Sequence, residues 1–221
     1  MKKTFCLLLF FTSFYGETIF AQEGGGESAT NRLGQTLRIG QKTGIHLMYS
    51  TATPFVLEFP GEVWTMSFAS GSGKYDYEYS DYNSSTGSTS TKSQSINFSV
   101  TELNFRFYIG NSFNIPFGYA NYKVSYPDWV YSGVSYDIDY DITQFNYGIG
   151  NEWTYDWGGY LGIDWYQGGT ILGEEITVKH KGGTETSTTL AKAKETSTEI
   201  KPFSGTFIVT FGFGFGWGEE G

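Results

Sequence analysis

The chain has 221 residues, of which 39% are hydrophobic, 19% aromatic and only 17% charged, and its formal net charge is −9. The low charge and the 30 glycines exclude helical bundles and coiled coils, which are rich in Ala, Leu, Glu and Lys. The acidic balance argues against nucleic acid as a partner, and a single cysteine, Cys6, excludes a disulfide framework or a cysteine-based zinc site.

The first 21 residues have the features of an export signal. Lys2 and Lys3 form a basic start, and a short apolar run covers residues 6–15. This run is short for the roughly 20 apolar residues that cross a bilayer as a helix. We therefore expect a signal peptide over 1–21, followed by a polar, glycine-rich, flexible segment over 22–43.

Apolar residues then alternate with small or polar residues at a period of two, which is typical of strands with one apolar face. The last strand shows this best, because Phe207, Phe211 and Phe215 share one face and Gly212 and Gly214 share the other. Six strands are predicted, over 63–80, 95–109, 113–126, 134–151, 159–178 and 200–217. Two weaker strands are predicted over 36–42 and 44–51, which gives eight in total.

The connections between these strands alternate in length. The connections at 110–112 and 155–158 are short, whereas those at 81–94 and 182–199 are long and rich in Ser and Thr. Outer-membrane barrels have even strand numbers, short periplasmic turns and long external loops. No later stretch resembles a transmembrane helix, so a closed barrel is the form in which this chain would span a membrane. We predict an all-β fold, a closed antiparallel up-and-down transmembrane β-barrel of eight strands over 44–217 with a short tail at 218–221.

Aromatic residues near the predicted strand ends indicate girdles at two membrane interfaces. The girdle at the short-turn end is predicted to contain Trp64, Trp153, Trp157 and Trp217. The opposite girdle is predicted to contain Trp129, Tyr126, Tyr131 and the tyrosines at 75, 77 and 79. A soluble sandwich with an aromatic core is the alternative, but it gives no reason for tryptophans to cluster at one set of strand ends.

The signal peptide, the final strand FIVTFGFGFGW and the hairpin LNFRFYIGNSFNIPFGYA resemble the small eight-stranded outer-membrane β-barrel proteins. That group includes OmpX-type proteins and the transmembrane part of OmpA-type proteins. The resemblance covers about residues 45–217 and implies a Gram-negative, cell-outer-membrane protein.

Charged residues are predicted in the lumen. The apolar stripe changes parity near 143–144 and between 100 and 103, which suggests β-bulges there and turns Glu102 and Arg106 inward. Glu152 and Asp164 are also expected to face inward. An eight-stranded barrel has room only for side chains and a few waters, and a buried arginine needs a carboxylate partner. We therefore expect Arg106 to pair with one of these carboxylates and to fill the lumen.

Three aspartates, Asp137, Asp139 and Asp141, share one strand face, as ligands of a cation could. Three carboxylates along a straight strand cannot surround an ion, so a solvated strand end or a polar lumen wall is favoured. The two histidines, His46 and His180, are far apart and lie in no catalytic motif, so no enzyme activity and no cofactor are predicted.

A basic loop near the C-terminus provides a possible contact surface. It consists of Lys179, Lys181, Lys192, Lys194 and Lys201. It could bind the phosphates of lipopolysaccharide or host polyanions, and a solvated loop is the alternative.

The main hypothesis is a monomeric outer-membrane barrel of structural or surface-interaction type. Its partners would be outer-membrane lipid, lipopolysaccharide and a possible host or surface ligand bound through the loops. A secreted soluble β-protein, such as an adhesin or ligand-binding barrel, and a narrow channel remain as alternatives.

Overall fold

The computed structural model describes residues 26–83, 87–197 and 204–216. Its elements are α1 Gly26–Leu33, β1 Leu37–Gly44, α2 Leu47–Ala52, β2 Phe55–Pro60, β3 Trp64–Asn83, β4 Ser88–Tyr108, β5 Phe113–Tyr131, β6 Val134–Thr154, β7 Gly159–Gly182, α3 Ser187–Ser197 and β8 Ser204–Phe215. Each strand pairs antiparallel with the next one in the sequence, and β8 closes the ring on β1. The predicted closed antiparallel up-and-down barrel of eight strands is confirmed. Within these residues, no helix has the length and apolar character needed to cross a membrane.

The two ends of the barrel differ in their connections. At the α1 end, the strands are joined by the short turns 61–63, 109–112 and 155–158, and α1 precedes β1. At the α2–α3 end, α2 connects β1 to β2 and α3 lies in the connection from β7 to β8. Strands β3 to β7 have 19 to 24 residues, whereas β1, β2 and β8 have 8, 6 and 12. Toward the α2–α3 end, the wall therefore continues as a five-stranded sheet.

Apolar side chains change face along each long strand. In β5, Phe117 and Tyr119 are exposed on the outside, whereas Tyr122 and Val124, a few residues later, are fully buried on the inside. We call the part with apolar residues outside the α1 half, and the part with apolar residues inside the α2–α3 half. The apolar core of the α2–α3 half contains Met48, Tyr49, Ala52, Ile96, Phe98, Val100, Ala120, Tyr122, Val124, Tyr126, Trp129, Val134, Tyr136, Ile138, Tyr140, Ile142, Ala193 and Ile208.

The predicted parity reversals do not occur. In β6, inward and outward residues alternate without interruption, so that Ile142 and Gln144 both face the interior. The pairing of β6 with β7 does shift at Thr143–Gln144, but the extra residue is Leu172 on β7. The expected bulge between 100 and 103 is wrong, because β4 pairs continuously with both neighbours there. The strand keeps its period, and the chemistry of its two faces is what changes.

The described part of the N-terminal segment contains regular structure. The prediction for residues 22–43 is a flexible segment, but its described part, 26–43, contains α1 and most of β1, so the barrel begins at Leu37 and not at 44. The physical reason is that Arg32 of α1 and Arg38 of β1 are buried to within 1% and bind partners from distant strands. The predicted signal peptide 1–21 and the tail 218–221 lie outside the described residues.

The strand expected over 44–51 is wrong, since Gly44 ends β1 and residues 47–51 belong to α2. The His46 ring caps the helix by accepting a hydrogen bond from the backbone N–H of Met48, and Thr53 ends it in the left-handed region with φ 38°. Met48 and Tyr49 are fully buried inside the barrel wall. A Cβ on Gly73 of β3 would clash with the carbonyl oxygen of Thr51, so glycine permits this close approach.

Candidate functional site: a charged lumen between helical caps

The interior of the α1 half contains eight charged side chains, none more than 4% exposed, among the residues that the structure describes. The four cations are Arg32, Arg38, Lys42 and Arg106. The four anions are Glu58, Glu102, Glu152 and Asp164. They face inward because each occupies the strand face opposite an apolar outer residue, except Arg32, which comes from α1. Opposite charges in equal number limit the cost of removing them from water.

Arg106 and Asp164 form a two-pronged pair across the lumen. The two guanidinium nitrogens Nη1 and Nη2 donate to the two carboxylate oxygens at 2.6 and 3.0 Å. Nη1 also donates to Asn114 Oδ1 at 3.0 Å, and Nε lies 3.6 Å from Glu152 Oε2. The structure thus brings together three of the four predicted lumen residues, Arg106, Asp164 and Glu152. Paired planar groups of this kind combine strength with a fixed orientation.

Glu152 has a second cation, which the sequence analysis missed. Arg38 Nη1 donates to Glu152 Oε1 at 2.5 Å, and the Tyr108 hydroxyl donates to the same oxygen at 2.6 Å. Arg38 also donates to Gln35 and Thr154, both at 2.6 Å. The signal that could have found Arg38 was its place in the alternation of the weak strand predicted over 36–42.

Glu102 lies apart from the other three predicted lumen residues. Its Oε2 accepts from Lys42 Nζ at 2.6 Å and from Asn104 Nδ2 at 3.0 Å, and its Oε1 accepts from the Tyr49 hydroxyl. Tyr49 belongs to α2, so this carboxylate ties the helix at the α2–α3 end to β1 and β4. The ion pair therefore lies at the junction between the charged lumen and the apolar core.

Helix α1 covers the other end of the lumen. Arg32 donates to the backbone carbonyls of Gly61, Glu62 and Asn111 at 3.2, 3.0 and 3.2 Å, which fixes the helix to two turns. Its guanidinium carbon lies 3.5 Å from the centre of the Tyr108 ring, a cation–π contact. The helix thus closes the α1 end with contacts to the barrel wall.

Little space is left between these side chains. A void of about 10 Å³ is lined in part by Glu58, Arg106, Asp164 and Gln167. This volume is at the lower limit for one water molecule. The lumen is therefore filled by side chains at this level, and the network joins strands that are distant in the ring.

The predicted aromatic girdle is present only in part. Trp64 and Trp157 are 51% and 65% exposed at the α1 end, and Trp153 faces outward there. Trp217 lies outside the described residues. Trp129 is a correction, because it is 8% exposed and stacks on Tyr131 inside the α2–α3 half. Tyr126 is also buried in this core. Trp129 faces this core because the pairing of β5 with β6 shifts between Tyr126 and Trp129, which turns the ring inward.

The predicted basic loop does not form one patch. Lys181 at the end of β7 lies 2.5 Å from Asp128 and 3.3 Å from Asp137. The pKa of Lys181 is raised, mainly because its ammonium group donates a hydrogen bond to the Asp128 carboxylate. Lys192 on α3 lies 2.9 Å from Glu195. Lys179 belongs to β7 and Lys194 to α3, whereas Lys201 lies outside the described residues.

The three aspartates of β6 lie on the outer face of the α2–α3 half. Asp139 accepts from the Ser125 hydroxyl at 2.6 Å, and Asp141 lies 3.5 Å from Lys123. Asp137 accepts from the backbone N–H of Asp128 at 3.0 Å. No group of three or more His, Cys, Asp or Glu residues in the described part of the chain is arranged to bind a metal. The aspartates are a solvated strand face.

Comparisons with solved structures found matches at low sequence identity and with TM-scores below 0.5. No family model matches the chain. No curated protein matches it either. A major outer membrane protein from Thermus thermophilus is 10% identical with a TM-score of 0.44, covering 81% of this chain and 99% of that one. Acinetobacter baumannii CarO2 is 11% identical with a TM-score of 0.38, covering 81% of this chain and 98% of that one. Acinetobacter baumannii CarO is 12% identical with a TM-score of 0.34, covering 82% and 98%.

Proposed function

We propose that this protein is an outer-membrane β-barrel with an occluded lumen, which anchors the α2–α3 half at the cell surface. Its α1 half has the outer surface that a bilayer requires. Phe59, Phe68, Phe107 and Phe213 are 40% to 56% exposed there. Exposed apolar surface of this extent is destabilising in water and stabilising in lipid.

The height of this apolar band supports the proposal. In β6 the outward residues from Phe145 to Trp153 are mainly apolar or aromatic. At a rise of about 3.3 Å per residue and a tilt of about 40°, this segment covers about 20 Å. The apolar band of outer-membrane barrels is about 25 Å tall. The short turns and α1 would then face the periplasm, and the α2–α3 half would face the outside.

The observation that supports a non-conducting anchor is the closed interior. Paired charges fill the α1 half, α1 covers one end, and the buried side chains of α2 close the other. A channel would need a continuous water-filled path, which this packing opposes. Catalysis is not part of the proposal, because His46 caps α2 and His180 packs against Tyr136.

Two measurements test this function. The refolded full-length chain in lipid vesicles is expected to show a folded band on an unheated gel that shifts on boiling. In planar bilayers, we expect no discrete conductance steps. A chain that stays soluble and folded without detergent would support the secreted alternative, and reproducible steps would support the narrow channel.

The cell-surface part of the proposal has its own test. The connection at 84–87, which is shorter than the predicted loop 81–94 because β3 and β4 pair out to Asn83 and Ser88, and the segment 182–199 would lie outside the cell. Protease added to intact cells should cut there and leave the α1 half protected. If these segments are cleaved only after the outer membrane is broken, the α2–α3 half lies in the periplasm, and the proposed orientation is contradicted.

A further inference from the structure

A groove of about 420 Å³ crosses β3, β4 and β5 on the outer face of the α2–α3 half. Its floor contains small polar side chains, because Ser72 pairs with Ser99 and Asn97 pairs with Ser125 in the strand register. Lys74 and Lys123 flank the floor on the two outer strands, with side chains 57% and 44% exposed. Two ammonium groups beside hydroxyl and amide groups form a surface that suits an anion carrying further hydroxyls.

The position of the groove selects the source of such an anion. Tyr119 is the last outward aromatic residue of β5 before the polar face begins, and Lys123 follows four positions later. Four residues at about 3.3 Å each, tilted by about 40°, place Lys123 about 10 Å above the apolar band. This is the depth at which headgroups of the outer leaflet would lie if the proposed membrane orientation holds.

We infer that this groove binds the phosphorylated sugar headgroup of a lipid in the outer leaflet. The two lysines would contact the phosphates, and Ser72, Asn97 and Ser99 would contact sugar hydroxyls. The inference rests on the proposed function, because it requires the groove to face the headgroup layer.

Neighbouring carboxylates set the strength of this site. Lys74 lies 2.9 Å from Asp76, and Lys123 lies 3.5 and 3.8 Å from Asp141 and Asp139. All these groups are partly or largely exposed, and ion pairs between exposed groups are weak, so a phosphate with two charges can compete for the lysines. Removing the carboxylates beside Lys123 should therefore strengthen binding, whereas removing the lysines should weaken it.

The test uses the full-length chain in nanodiscs of phosphatidylcholine, with lipid A as the probe and its dephosphorylated form as the matched lipid. Binding is measured by native mass spectrometry in the presence of EDTA, so that divalent cations do not bridge phosphates to acidic side chains. The variant Lys74→Ala with Lys123→Ala is expected to lose about 30-fold in affinity, at about fivefold for each lysine. The control Lys92→Ala removes an exposed lysine of β4 outside the groove, and it should retain the wild-type affinity, whereas Lys74→Ala alone should lose about fivefold.

Further outcomes separate the possibilities. Asp139→Asn with Asp141→Asn is expected to bind lipid A more tightly, a gain that a merely misfolded variant cannot produce. Equal binding of both lipid forms, or equal loss in the control variant, would overturn the inference. Displacement of bound lipid A by millimolar inorganic phosphate, as effective as displacement by added lipid A, would also overturn the inference, because the site would then not select a headgroup. Failure of the wild-type chain to insert into the nanodiscs would contradict the proposed function itself.

Discussion

The two halves of the barrel use the same strands with inverted chemistry. In β6, Tyr147 is exposed and Asn146 is buried in the α1 half, whereas Asp139 is outward and Ile138 is fully buried in the α2–α3 half. The backbone alternation continues through the change. The apolar face is therefore the one that suits the surroundings. It is the outer face in the α1 half, where lipid would surround the barrel, and the inner face in the α2–α3 half, where water would.

This inversion also gives the halves different sources of stability. In the α1 half, the interior is stabilised by ion pairs and hydrogen bonds, whose loss leaves a buried charge without a partner. In the α2–α3 half, α2 and α3 cover an apolar core that contains Phe98, Tyr136 and Ile138. There the cost of a substitution is set by the cavity that it creates. The following changes test this difference, from the largest expected effect to the smallest.

Removing the arginine of the lumen pair should have the largest effect. Arg106→Ala leaves the Asp164 carboxylate buried without the two hydrogen bonds that it now accepts. We expect a loss of about 3–5 kcal/mol in the free energy of unfolding. The measurement is urea unfolding in lipid vesicles, followed by tryptophan fluorescence.

A double substitution provides the control. Arg106→Met with Asp164→Leu removes both charges and should recover most of the loss, because no unpaired charge remains. Wild-type stability of the Arg106→Ala variant would show that the pair is not needed. A loss as large in the double variant would assign the effect to packing instead.

Lysine placed on the outside should distinguish the two halves. Phe105 and Ser93 lie on the same outer face of β4, Phe105 within the apolar band and Ser93 beyond it. Phe105→Lys should cost about 2–4 kcal/mol of folding stability in a bilayer, the range for a cation near the membrane midplane. Ser93→Lys should cost close to nothing. Equal effects at both positions would contradict the proposed membrane boundary.

The sequence predicted the barrel but only part of the site, for reasons that these residues illustrate. Period-two alternation in β5 and β8 was enough to establish strands, because a helix cannot gather the phenylalanines of β8 on one side. The alternation does not say which side is outside. If every apolar residue is assumed to face outward, the change of the apolar face in β4 predicts a bulge between 100 and 103 that does not occur. The same assumption places Trp129 at the membrane surface, whereas it lies in a core.

The missed part of the site depends on contacts between distant segments. Arg38 and Glu152 are separated by more than one hundred residues, and Lys42 and Tyr49 both bind Glu102, which lies more than fifty residues further along the chain. The local sequence pattern does not predict such contacts between distant residues. Arg106 could be expected to need a carboxylate, but which one accepts its hydrogen bonds is decided by the register of β7 with its neighbours.

Removing a single methylene group from each half should show the difference in packing between the buried core and the outer face. Ile138→Val removes one in the buried core, and we expect a loss of about 1 kcal/mol. Ile149→Val removes the same group on the outer face of the α1 half, where lipid chains can fill the space, so its effect should be near zero. Hydrogen exchange of β6 in nanodiscs measures both. A larger loss of protection for the outer variant would contradict the assignment of the two faces.

The outer face of the α2–α3 half should show the smallest effect, through the pH dependence of one carboxyl group. The backbone N–H of Asp128 is the main cause that lowers the pKa of Asp137, and Lys181 adds to it. A lowered pKa contributes stability that is present above the ordinary aspartate pKa of about 3.9 and is lost as the pH falls through the folded value. Carboxyl NMR should therefore give Asp137 a midpoint below that value, and Lys181→Ala should raise the midpoint only in part, because the Asp128 hydrogen bond remains. A midpoint at the ordinary value in the wild-type chain would show that these contacts do not persist in solution, and that this face is not ordered like the lumen.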